Sequence, residues 1–496
     1  MVALPFLRSP PFPGIAPAVA AISSPLEDGA ERTAIEDALI DRIARERVGG
    51  AFWSEADPWA IAAALPSVRA GPDEELAWVA ALMGVPVIGP DDAPIDPAFL
   101  REALHARLAA ARYRDCFTGA PVDAARAVAQ LAEWRRHLDG NRGIAAASGM
   151  AFWKREAMRR FLWDGRRSPP FLAASRGVRQ AARSDGALAI WPSRVPVDLT
   201  AQAAQAGVPI TRVEDGFIRS QGLGAALHPP GSVVVDRSGI YYDARSPSDL
   251  ETLLATADFR DELIDRARNL RARLCATGVT KYGREAGRMM DLPTGRRTVL
   301  AVGQVEDDLS VLMGGAGVTG NLDFLMRVRA AEPNAWIVYR PHPDVQAGHR
   351  KGHLSEATVL AHADAIDSGS PLMALVQAVD DVHVLSSLTG FEALMRGRPV
   401  TVHGMPFYAD WGLTRDLGAT TGRRGRALTL DQLVAGALIL YPRYVDPVTR
   451  LPCGPELMVD RMAAGSTPPV TWLIRLRMLQ GKLRRLMTLA AEYLNG

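Results

Sequence analysis

The chain has 496 residues, of which 48% are apolar and 23% charged, and its formal net charge at pH 7 is +2. This composition is typical of a globular protein with several domains, and so small a net charge argues against general attraction to nucleic acid. The three cysteines, Cys116, Cys275 and Cys453, are far apart and lack metal-ligand spacing, which argues against a disulfide scaffold or a zinc site and favours a reducing compartment.

The chain shows no obvious targeting or membrane segment. Arg8 and several prolines interrupt the apolar N-terminal residues, so we expect no signal peptide. The longest apolar run near the other end, Leu433 to Tyr441, is too short to span a bilayer. We therefore expect a cytoplasmic protein.

The N-terminal region, residues 1–146, contains a weak repeat of a later segment. Pro58, Gly84 and Pro86-Val87 recur with identical spacing in the second half of the chain. Where the later copy has two serines, the earlier one has Asp73-Glu74, and two carboxylates would repel a phosphate. We expect a degenerate partial copy of a first module that has kept its packing and lost a nucleotide site. If the repeat is accidental, the region is an α-rich domain without an assigned role.

Residues 147–291 alternate strand and helix signals, which predicts a parallel sheet covered by helices. Glu214-Asp215-Gly216 follows a predicted strand that ends at Val213. Adjacent carboxylates push each other's pKa apart, so that one of them can hold a proton near neutral pH. Arg219 and Ser220 come next and could bind a carboxylate or a hydroxyl of a substrate. The alternative is a surface turn with acid–arginine pairs.

A second alternating region, residues 292–450, begins at the linker Leu292–Gly295. Its first predicted strand, Thr298–Val302, is followed by Gly303 and then by the acids Glu306-Asp307-Asp308. At the carboxyl end of a strand these acids could bind a metal, supply a nucleophile or face water. Two such regions joined by a linker place a ligand in the cleft between them.

The next predicted strand, Ala335–Tyr339, leads into Arg340-Pro341-His342-Pro343. The two prolines stiffen the loop and fix the imidazole between them. A rigid histidine beside an arginine at a strand end suits a leaving phosphate, which it can neutralise or protonate. The alternative is a structural histidine in a polar loop.

The segment after a predicted strand at Asp381–Leu385 predicts a helix with a phosphate site. Ser386 and Ser387 would leave free N–H groups at the helix start, and Gly390 lies in its first turn. Glu392, one turn in, would face the same pocket and accept hydrogen bonds from a ribose diol. A nucleotide bound in this way is typical of a doubly wound sheet. The alternative is an ordinary crossover with a good cap.

Two further segments are rich in aromatic residues. Tyr242 belongs to the pair Tyr241-Tyr242, and the segment Pro406–Thr414 alternates aromatic residues with glycine and hydroxyl groups. These aromatics suit stacking on a base or a sugar ring, and they equally suit a core plug between two lobes.

The C-terminal region, residues 451–496, differs from the rest. From Trp472 to Leu494 apolar residues recur at helical spacing, and lysines and arginines fill most of the remaining positions. A basic amphipathic helix of this kind can lie on an anionic membrane surface. The alternative is a helix packed on the protein with a solvated basic face.

Six stretches, taken together, resemble the bacterial capsular polysaccharide β-Kdo transferases of the KpsC/LipB type. They are Glu214–Gly224, Ile240–Glu251, Gly303–Ser310, Arg340–Arg350, Ser386–Leu394 and Met405–Thr414. The resemblance implies an α/β fold of the GT-B type with two Rossmann-like lobes, preceded by a degenerate partial repeat of a first module. Residues 147–291 would then be the acceptor-side lobe and residues 292–450 the CMP-sugar donor lobe. At two positions the chain departs from the family pattern. Asp410 stands where glycine is usual, and Gly283, which follows Lys281-Tyr282, stands where asparagine is usual.

The resemblance also implies the activity. CMP-β-Kdo would be the donor, and Kdo would be transferred with retention to a lipid-linked Kdo acceptor in the synthesis of a capsular polysaccharide linker. We expect a single type of linkage, because only one module looks complete. The expected partners are this acceptor and, at the inner membrane, capsule assembly proteins, with no nucleic acid.

Retention needs either two inversions or an attack on the same face of the sugar, and two inversions need a carboxylate nucleophile and a separate acid/base. The pattern Gln304-x-x-x-Asp308-x-Ser310 resembles the nucleophile motif of the family and assigns Asp308, while Glu214 or Asp215 would be the acid/base. The residues expected to hold CMP are Gln304, Ser310, Arg340, His342, Pro343, Ser386, Ser387, Gly390 and Glu392. Those expected to bind the sugars are Arg219, Ser220 and Tyr242, with Arg340 as a second candidate for the Kdo carboxylate. Because a leaving group with one phosphate does not require a metal clamp, we predict neither metal nor cofactor.

Two other functions fit part of this pattern. The acidic and His-Pro loops would equally serve a different CMP-sugar transferase, such as a sialyltransferase-like enzyme. The degenerate N-terminal region and the basic tail would suit a non-catalytic scaffold of a capsule assembly or export complex. We place the protein in the cytoplasm, peripheral on the inner membrane.

Overall fold

A computed structural model describes residues 4–26, 35–219, 228–281, 287–348 and 350–465. Ser220 and the predicted amphipathic helix Trp472–Leu494 lie outside these ranges. None of the helices in the described ranges combines the length and the apolar character needed to cross a membrane.

Helices and strands alternate along much of the chain, which confirms the α/β class. The strands are β1 Ser23–Pro25, β2 Val68–Arg69, β3 Val87–Ile88, β4 Ala111–Arg114, β5 Pro121–Val122, β6 Ile144–Ser148, β7 Ala187–Ile190, β8 Ile210–Asp215, β9 Ser232–Asp236, β10 Thr298–Val302, β11 Trp336–Arg340, β12 Ala365–Ile366, β13 Asp381–Val384, β14 Val400–Val402, β15 Arg415–Asp416, β16 Pro442–Val445 and β17 Pro452–Cys453. The α-helices are α1 Pro17–Ala20, α2 Asp37–Glu46, α3 Pro58–Ala64, α4 Glu75–Leu82, α5 Pro97–Ala109, α6 Ala124–Asp139, α7 Arg155–Phe161, α8 Ala174–Arg183, α9 Leu199–Gln205, α10 Asp249–Thr256, α11 Asp261–Thr277, α12 Leu309–Gly314, α13 Asn321–Ala331, α14 Pro343–Gln346, α15 Glu356–Leu360, α16 Leu372–Ala378, α17 Leu388–Met395, α18 Leu430–Val434 and α19 Pro455–Ala463.

The chain divides into two compact units. Unit 1 comprises Met1–Ala145, Arg155–Pro170 and Tyr444–Gly454, and unit 2 comprises Ala146–Lys154, Phe171–Arg443 and the residues from Pro455 onward. The predicted boundaries after residues 146, 291 and 450 stay predictions.

Unit 1 is mainly helical around an apolar core. Helix α6 begins after Asp123, whose side chain accepts the N–H of Arg126, and it buries Trp134. The indole N–H of Trp134 donates to the carbonyl of Pro452 at 2.7 Å, and Phe12 packs edge-on against its ring. Strands β1, β4 and β5 form an antiparallel sheet, and β2 pairs with β3 in parallel.

Unit 2 contains a sheet in which β6, β7, β8 and β9 lie side by side in that order. Strand β7 pairs with β8 in parallel, whereas β9 runs antiparallel to β8. Every residue of β9 is buried, and β8 ends at Asp215. The two acids predicted at a strand end therefore lie at the carboxyl edge of this sheet.

The other sheet of unit 2 is entirely parallel, with the strand order β12-β11-β10-β13-β14-β15. Counted along the chain, this is the order 3-2-1-4-5-6 of a doubly wound nucleotide-binding sheet. All five residues of β10 are buried, as expected for a central strand that helices cover on both faces. The strand order reverses between β10 and β13, and ligands of such sheets bind beyond the carboxyl ends of the strands at this switch point.

Candidate active site

The loops that follow β10 and β13 meet at the switch point through Gln304 and Ser386. The side-chain oxygen of Gln304 accepts the N–H of Ser386 at 2.8 Å, and its amide nitrogen donates to the Ser386 hydroxyl at 3.2 Å. Asn321, at the start of α13, accepts the backbone N–H of Gln304 at 2.9 Å and donates to the Gln304 carbonyl at 2.8 Å. The structure thus joins two predicted donor-site residues that are far apart in sequence. Sequence reasoning missed Asn321, although its place after Gly320 at a helix start was visible.

Helix α17 begins as predicted, after Ser387. The Ser387 hydroxyl accepts the N–H of Thr389 at 3.2 Å and so caps the first turn. Gly390 is required by packing, because a Cβ there would overlap the hydroxyl of Tyr408, which donates to the Ser387 carbonyl. Glu392 is buried, and one of its oxygens accepts the backbone N–H of Lys281 at 3.1 Å. A ribose contact at this oxygen would have to displace that N–H.

The three consecutive acids after β10 have three different contacts. Glu306 accepts the N–H of Asn321 at 2.8 Å, and Asp307 pairs with the exposed Arg350 at 3.2 Å. Asp308 caps α12, since one of its oxygens accepts both the N–H and the hydroxyl of Ser310, at 2.9 and 2.7 Å. Asp308 is exposed and makes no ion pair with any described residue. It therefore presents one free carboxylate oxygen in a fixed orientation, as a nucleophile requires.

His342 also acts as a helix cap. Its Nδ1 accepts the N–H of Asp344 at 3.2 Å, which leaves Nε2–H as a donor, and Pro343 is the first residue of α14. Burial lowers the pKa of His342 against the nearby negative charges of Asp344 and Asp308. At neutral pH this histidine can donate a hydrogen bond to a phosphate but brings no positive charge.

Arg340 does not point into an open site. Its guanidinium donates to Asp367 and, at 2.9 Å, to the carbonyl of Ser370, and its side chain is only 12% exposed. A ligand carboxylate or phosphate would have to displace these partners.

The two acids at the end of β8 differ in their contacts with two buried cations. Lys154 donates to one oxygen of Asp215 at 3.1 Å, and Arg219 donates to the other at 2.8 Å. Glu214 has no cation partner among the described residues and accepts only the N–H of Asp215, at 3.0 Å. Burial lowers the pKa of Lys154 against the negative charges of Asp215 and Glu214, and its ammonium lies 3.4 Å from the centroid of the Trp191 ring, whose face stabilises the charged form.

These contacts decide which acid can exchange a proton. Burial and then the charge of Asp215 raise the pKa of Glu214 to about 7, against the opposing charge of Lys154. Burial alone would raise the pKa of Asp215 as well, but the charges of Arg219 and Lys154 outweigh it and lower that pKa. The sequence left Glu214 and Asp215 as equal candidates for the acid/base, and the contacts favour Glu214.

Arg219 is fully buried and donates to the carbonyl of His228 at 3.1 Å in addition to Asp215. A role in binding a substrate carboxylate would require it to leave both partners. Ser220, the other substrate contact predicted here, lies outside the described residues. Lys154 was missed as a site residue, because 61 positions separate it from Asp215.

Aromatic side chains lie near both acidic groups. Phe217 stacks on Phe407 with ring centroids 4.5 Å apart and meets Tyr241 edge-on at 4.7 Å. Burial, then the negative charges of Glu214 and Asp308, raise the pKa of Tyr242. Its hydroxyl is buried and has no hydrogen-bond partner in the part of the chain that is described. Both acids therefore lie within electrostatic reach of one unpaired donor.

In the described ranges, one group of side chains is close enough to hold a metal ion: Glu332, Asp381 and His383. The Nε2 atom of His383 lies 3.9 Å from an oxygen of each acid. Arg297 already bridges both carboxylates, at 3.1 and 2.8 Å, and Arg415 binds Glu332 at 2.9 Å. Because these guanidinium groups neutralise the carboxylates, we assign no metal to the cluster, and the absence of a metal stays a prediction.

A protein-family model described as capsule polysaccharide biosynthesis protein matches residues 186–444. Two curated proteins are also similar to this chain in sequence. The capsule polysaccharide modification protein LipA of Neisseria meningitidis is 38% identical over 338 residues, which is 68% of this chain and 48% of LipA. The lipopolysaccharide-processing protein LpsZ of Rhizobium meliloti is 45% identical over 246 residues, which is 49% of this chain and 56% of LpsZ. The chain thus spans about half the length of the curated relatives it matches.

Two solved structures from Thermosulfurimonas dismutans are also similar. The KpsC β-Kdo 2,7 transferase is 32% identical with a TM-score of 0.54, and the match covers 65% of this chain and all of that one. The KpsC β-Kdo 2,4 transferase is 31% identical with a TM-score of 0.56, and the match covers 64% of this chain and 98% of that one.

Proposed function

The chain belongs to the capsule polysaccharide biosynthesis family, and on this basis we propose that it is a retaining β-Kdo transferase that moves Kdo from CMP-Kdo to a lipid-linked Kdo acceptor. The observation that carries the proposal is that, in unit 2, the charge of Asp308 acts on both His342 and Tyr242, and the charge of Glu214 acts on Tyr242 as well. The similarity to two Kdo transferases, over nearly their whole lengths, supports it.

We assign the donor nucleotide to the parallel sheet. The start of α17 and the Nε2–H of His342 would bind the CMP phosphate, and Glu392 would bind the ribose. Gln304 holds the two phosphate-side loops together rather than touching the nucleotide. In this arrangement the two sheets of unit 2 are the lobes of a GT-B enzyme.

Transfer with retention then follows in two steps. The free oxygen of Asp308 attacks the anomeric carbon of Kdo, the bond from that carbon to the phosphate oxygen breaks, and CMP leaves with the electron pair. The acceptor hydroxyl next gives its proton to ionised Glu214 and attacks the same carbon, which releases Asp308 as a carboxylate. Two inversions restore the original configuration. Arg219 and Arg340 are already bound elsewhere, so the donor we assign to the Kdo carboxylate is the Tyr242 hydroxyl, which has no partner among the described residues. Because this hydroxyl is buried, binding requires the side chains that cover it to move.

The test is incubation of the Asp308→Asn variant with CMP-Kdo and a synthetic Kdo-terminated lipid, with the product read out by mass and linkage. We expect turnover to be lost while CMP binding is kept, because Asp308 does not hold the nucleotide. Asp307→Asn is the matched control, since the neighbouring acid pairs only with exposed Arg350, and it should remain active. Near-normal turnover of Asp308→Asn would move the nucleophile elsewhere.

The same incubation separates the alternatives. Competition between CMP-Kdo and CMP-sialic acid distinguishes a different CMP-sugar transferase. Failure of the purified protein to bind CMP would favour a non-catalytic scaffold.

We further propose that part of unit 1 is a degenerate partial copy of a transferase module. The order α3-β2-α4-β3 repeats as α16-β13-α17-β14, and α4 and α17 begin and end at positions separated by the same number of residues. The hairpins β4-β5 and β16-β17 correspond in the same way, with equivalent pairs Tyr113–Val122 and Tyr444–Cys453. Where α17 has its phosphate-binding turn, α4 follows Asp73-Glu74, and Glu74 accepts the N–H of Gly71. This copy would keep the packing of a transferase lobe without binding a nucleotide.

A further inference from the structure

Unit 1 contains a cavity of about 440 Å³. Its lining residues are Glu55, Arg142, Gly143, Asp164, Arg166 and Arg167. The volume lies within the range of pockets that hold small ligands, roughly 300–1,000 Å³. Three arginines face two acids in this lining, so its formal charge is positive.

A rigid turn presents two of the arginines. One oxygen of Asp164 accepts the backbone N–H groups of Arg166 and Arg167, both at 2.8 Å. Gly165 has a φ of +101°, and a Cβ there would come within 2.7 Å of the Trp53 carbonyl oxygen. Because the backbone of the turn is fixed, its two side chains leave from defined positions, which lowers the entropic cost of binding a ligand.

The three guanidinium groups differ in how far they are already paired. Arg142 donates to the Phe52 carbonyl at 2.8 Å and forms ion pairs with Asp139 at 3.2 Å and Asp57 at 3.6 Å. Arg166 lies 3.5 Å from Glu55 and donates to the Ser54 carbonyl at 3.3 Å. Glu55 is 92% exposed, so this ion pair is screened by water and easily exchanged. The exposed Arg167 side chain has no ion pair or hydrogen bond with any residue in the described ranges.

We propose that this cavity binds an oxyanion, a phosphate or a carboxylate carried by a group of about monosaccharide size. Arg167 is the principal contact, because its planar fork can bind two oxygens at once, and Arg166 exchanges Glu55 for the ligand. The oxyanion could come from an anionic sugar or from a lipid headgroup. The site is distinct from the proposed transfer site and does not depend on the assignment of Asp308.

The experiment measures binding by the full chain at low ionic strength. Calorimetric titrations with inorganic phosphate and with free Kdo test soluble oxyanions. Flotation with phosphatidylcholine vesicles, with and without phosphatidylglycerol, tests a lipid headgroup. We expect Arg167→Ala to weaken binding roughly tenfold in each arm that shows binding, since it removes a charge-assisted contact. Arg45→Ala, which removes an exposed arginine of α2 in the same unit, should leave binding unchanged.

Each possible result either supports the proposed oxyanion site or overturns it. A loss in Arg167→Ala confined to phosphate or Kdo identifies a soluble sugar acid or phosphate, and a loss confined to phosphatidylglycerol vesicles identifies a headgroup. Absence of binding in every arm overturns the site, as does binding that Arg167→Ala leaves intact. An equal loss in Arg45→Ala also overturns it, because that result indicates general electrostatic attraction. Thermal melting of both variants checks that they fold.

Discussion

Replacing Lys154 by methionine should lower the free energy of unfolding of the protein and shift the pH dependence of its activity to higher pH. The ammonium and Asp215 are 3.1 Å apart, and their Coulomb attraction is roughly 5 kcal/mol at an effective dielectric constant of about 20. Desolvation offsets part of this attraction, and removing one partner of a buried pair typically costs about 3–5 kcal/mol. Because Arg219 still neutralises Asp215, we expect a loss of about 2–3 kcal/mol in the free energy of unfolding.

The pH dependence of this variant follows from the charge that it removes. The ammonium of Lys154 lowers the pKa of Glu214, which is about 7 in the native protein, so its removal raises that pKa further. As a base, Glu214 must be ionised, and kcat/KM therefore rises with pH through its pKa. We expect the rising limb to move up by roughly one pH unit in Lys154→Met, with activity recovering at high pH.

The assay is a profile of kcat/KM against pH with CMP-Kdo, together with urea unfolding. Lys154→Arg keeps the charge and should restore the native profile, whereas a purely structural role would not depend on the charge. An unchanged rising limb in a folded Lys154→Met protein would refute the electrostatic link between Lys154 and Glu214.

Two other predictions concern stability. A carboxyl group whose pKa is raised on folding costs stability as pH rises, so the native protein should lose roughly 3 kcal/mol from Glu214 between about pH 4.5 and pH 7. Glu214→Gln should flatten the dependence of unfolding free energy on pH in urea melts over this window, and an equal slope in both proteins would contradict the raised pKa. Asp410 has a φ of +66°, which explains why glycine is usual there, and its N–H donates to Asp416 at 3.0 Å. A left-handed residue other than glycine costs about 1–2 kcal/mol, and the extra entropy of glycine returns about 0.5–1 kcal/mol. Asp410→Gly should therefore raise the free energy of unfolding in urea by about 0.5–1 kcal/mol, and a decrease would show that the aspartate contributes more than its backbone costs.

The parallel sheet was predictable because its determinants are local. The strand Thr298–Val302 coincides with β10, since a central parallel strand reads as a continuous apolar run between turn residues. The start of α17 followed from Ser387, whose capping bond spans only two residues.

The contacts that determine which side chains are available for catalysis were not predictable in this way. The bond between Lys154 and Asp215 joins different elements, and the burial of Arg219 depends on the packing of β8. Propensity and spacing identify candidate residues, but only the fold reveals which of them are already paired.

The two acidic groups of the site illustrate how the fold selects one residue from neighbours of the same chemistry. Lys154 and Arg219 pair with Asp215, whereas Glu214 forms no ion pair with any residue that the structure describes. In the second group, Asp307 pairs with Arg350 and Glu306 holds a backbone N–H, while Asp308 keeps a free oxygen. An ion pair stabilises the ionised form of a carboxylate. Because protonation or bond formation would break the ion pair, a paired carboxylate is a weaker base and a weaker nucleophile. The same physical criterion therefore favours Glu214 as the proposed acid/base and Asp308 as the proposed nucleophile, and both act electrostatically on the Tyr242 hydroxyl, which has no partner among the described residues.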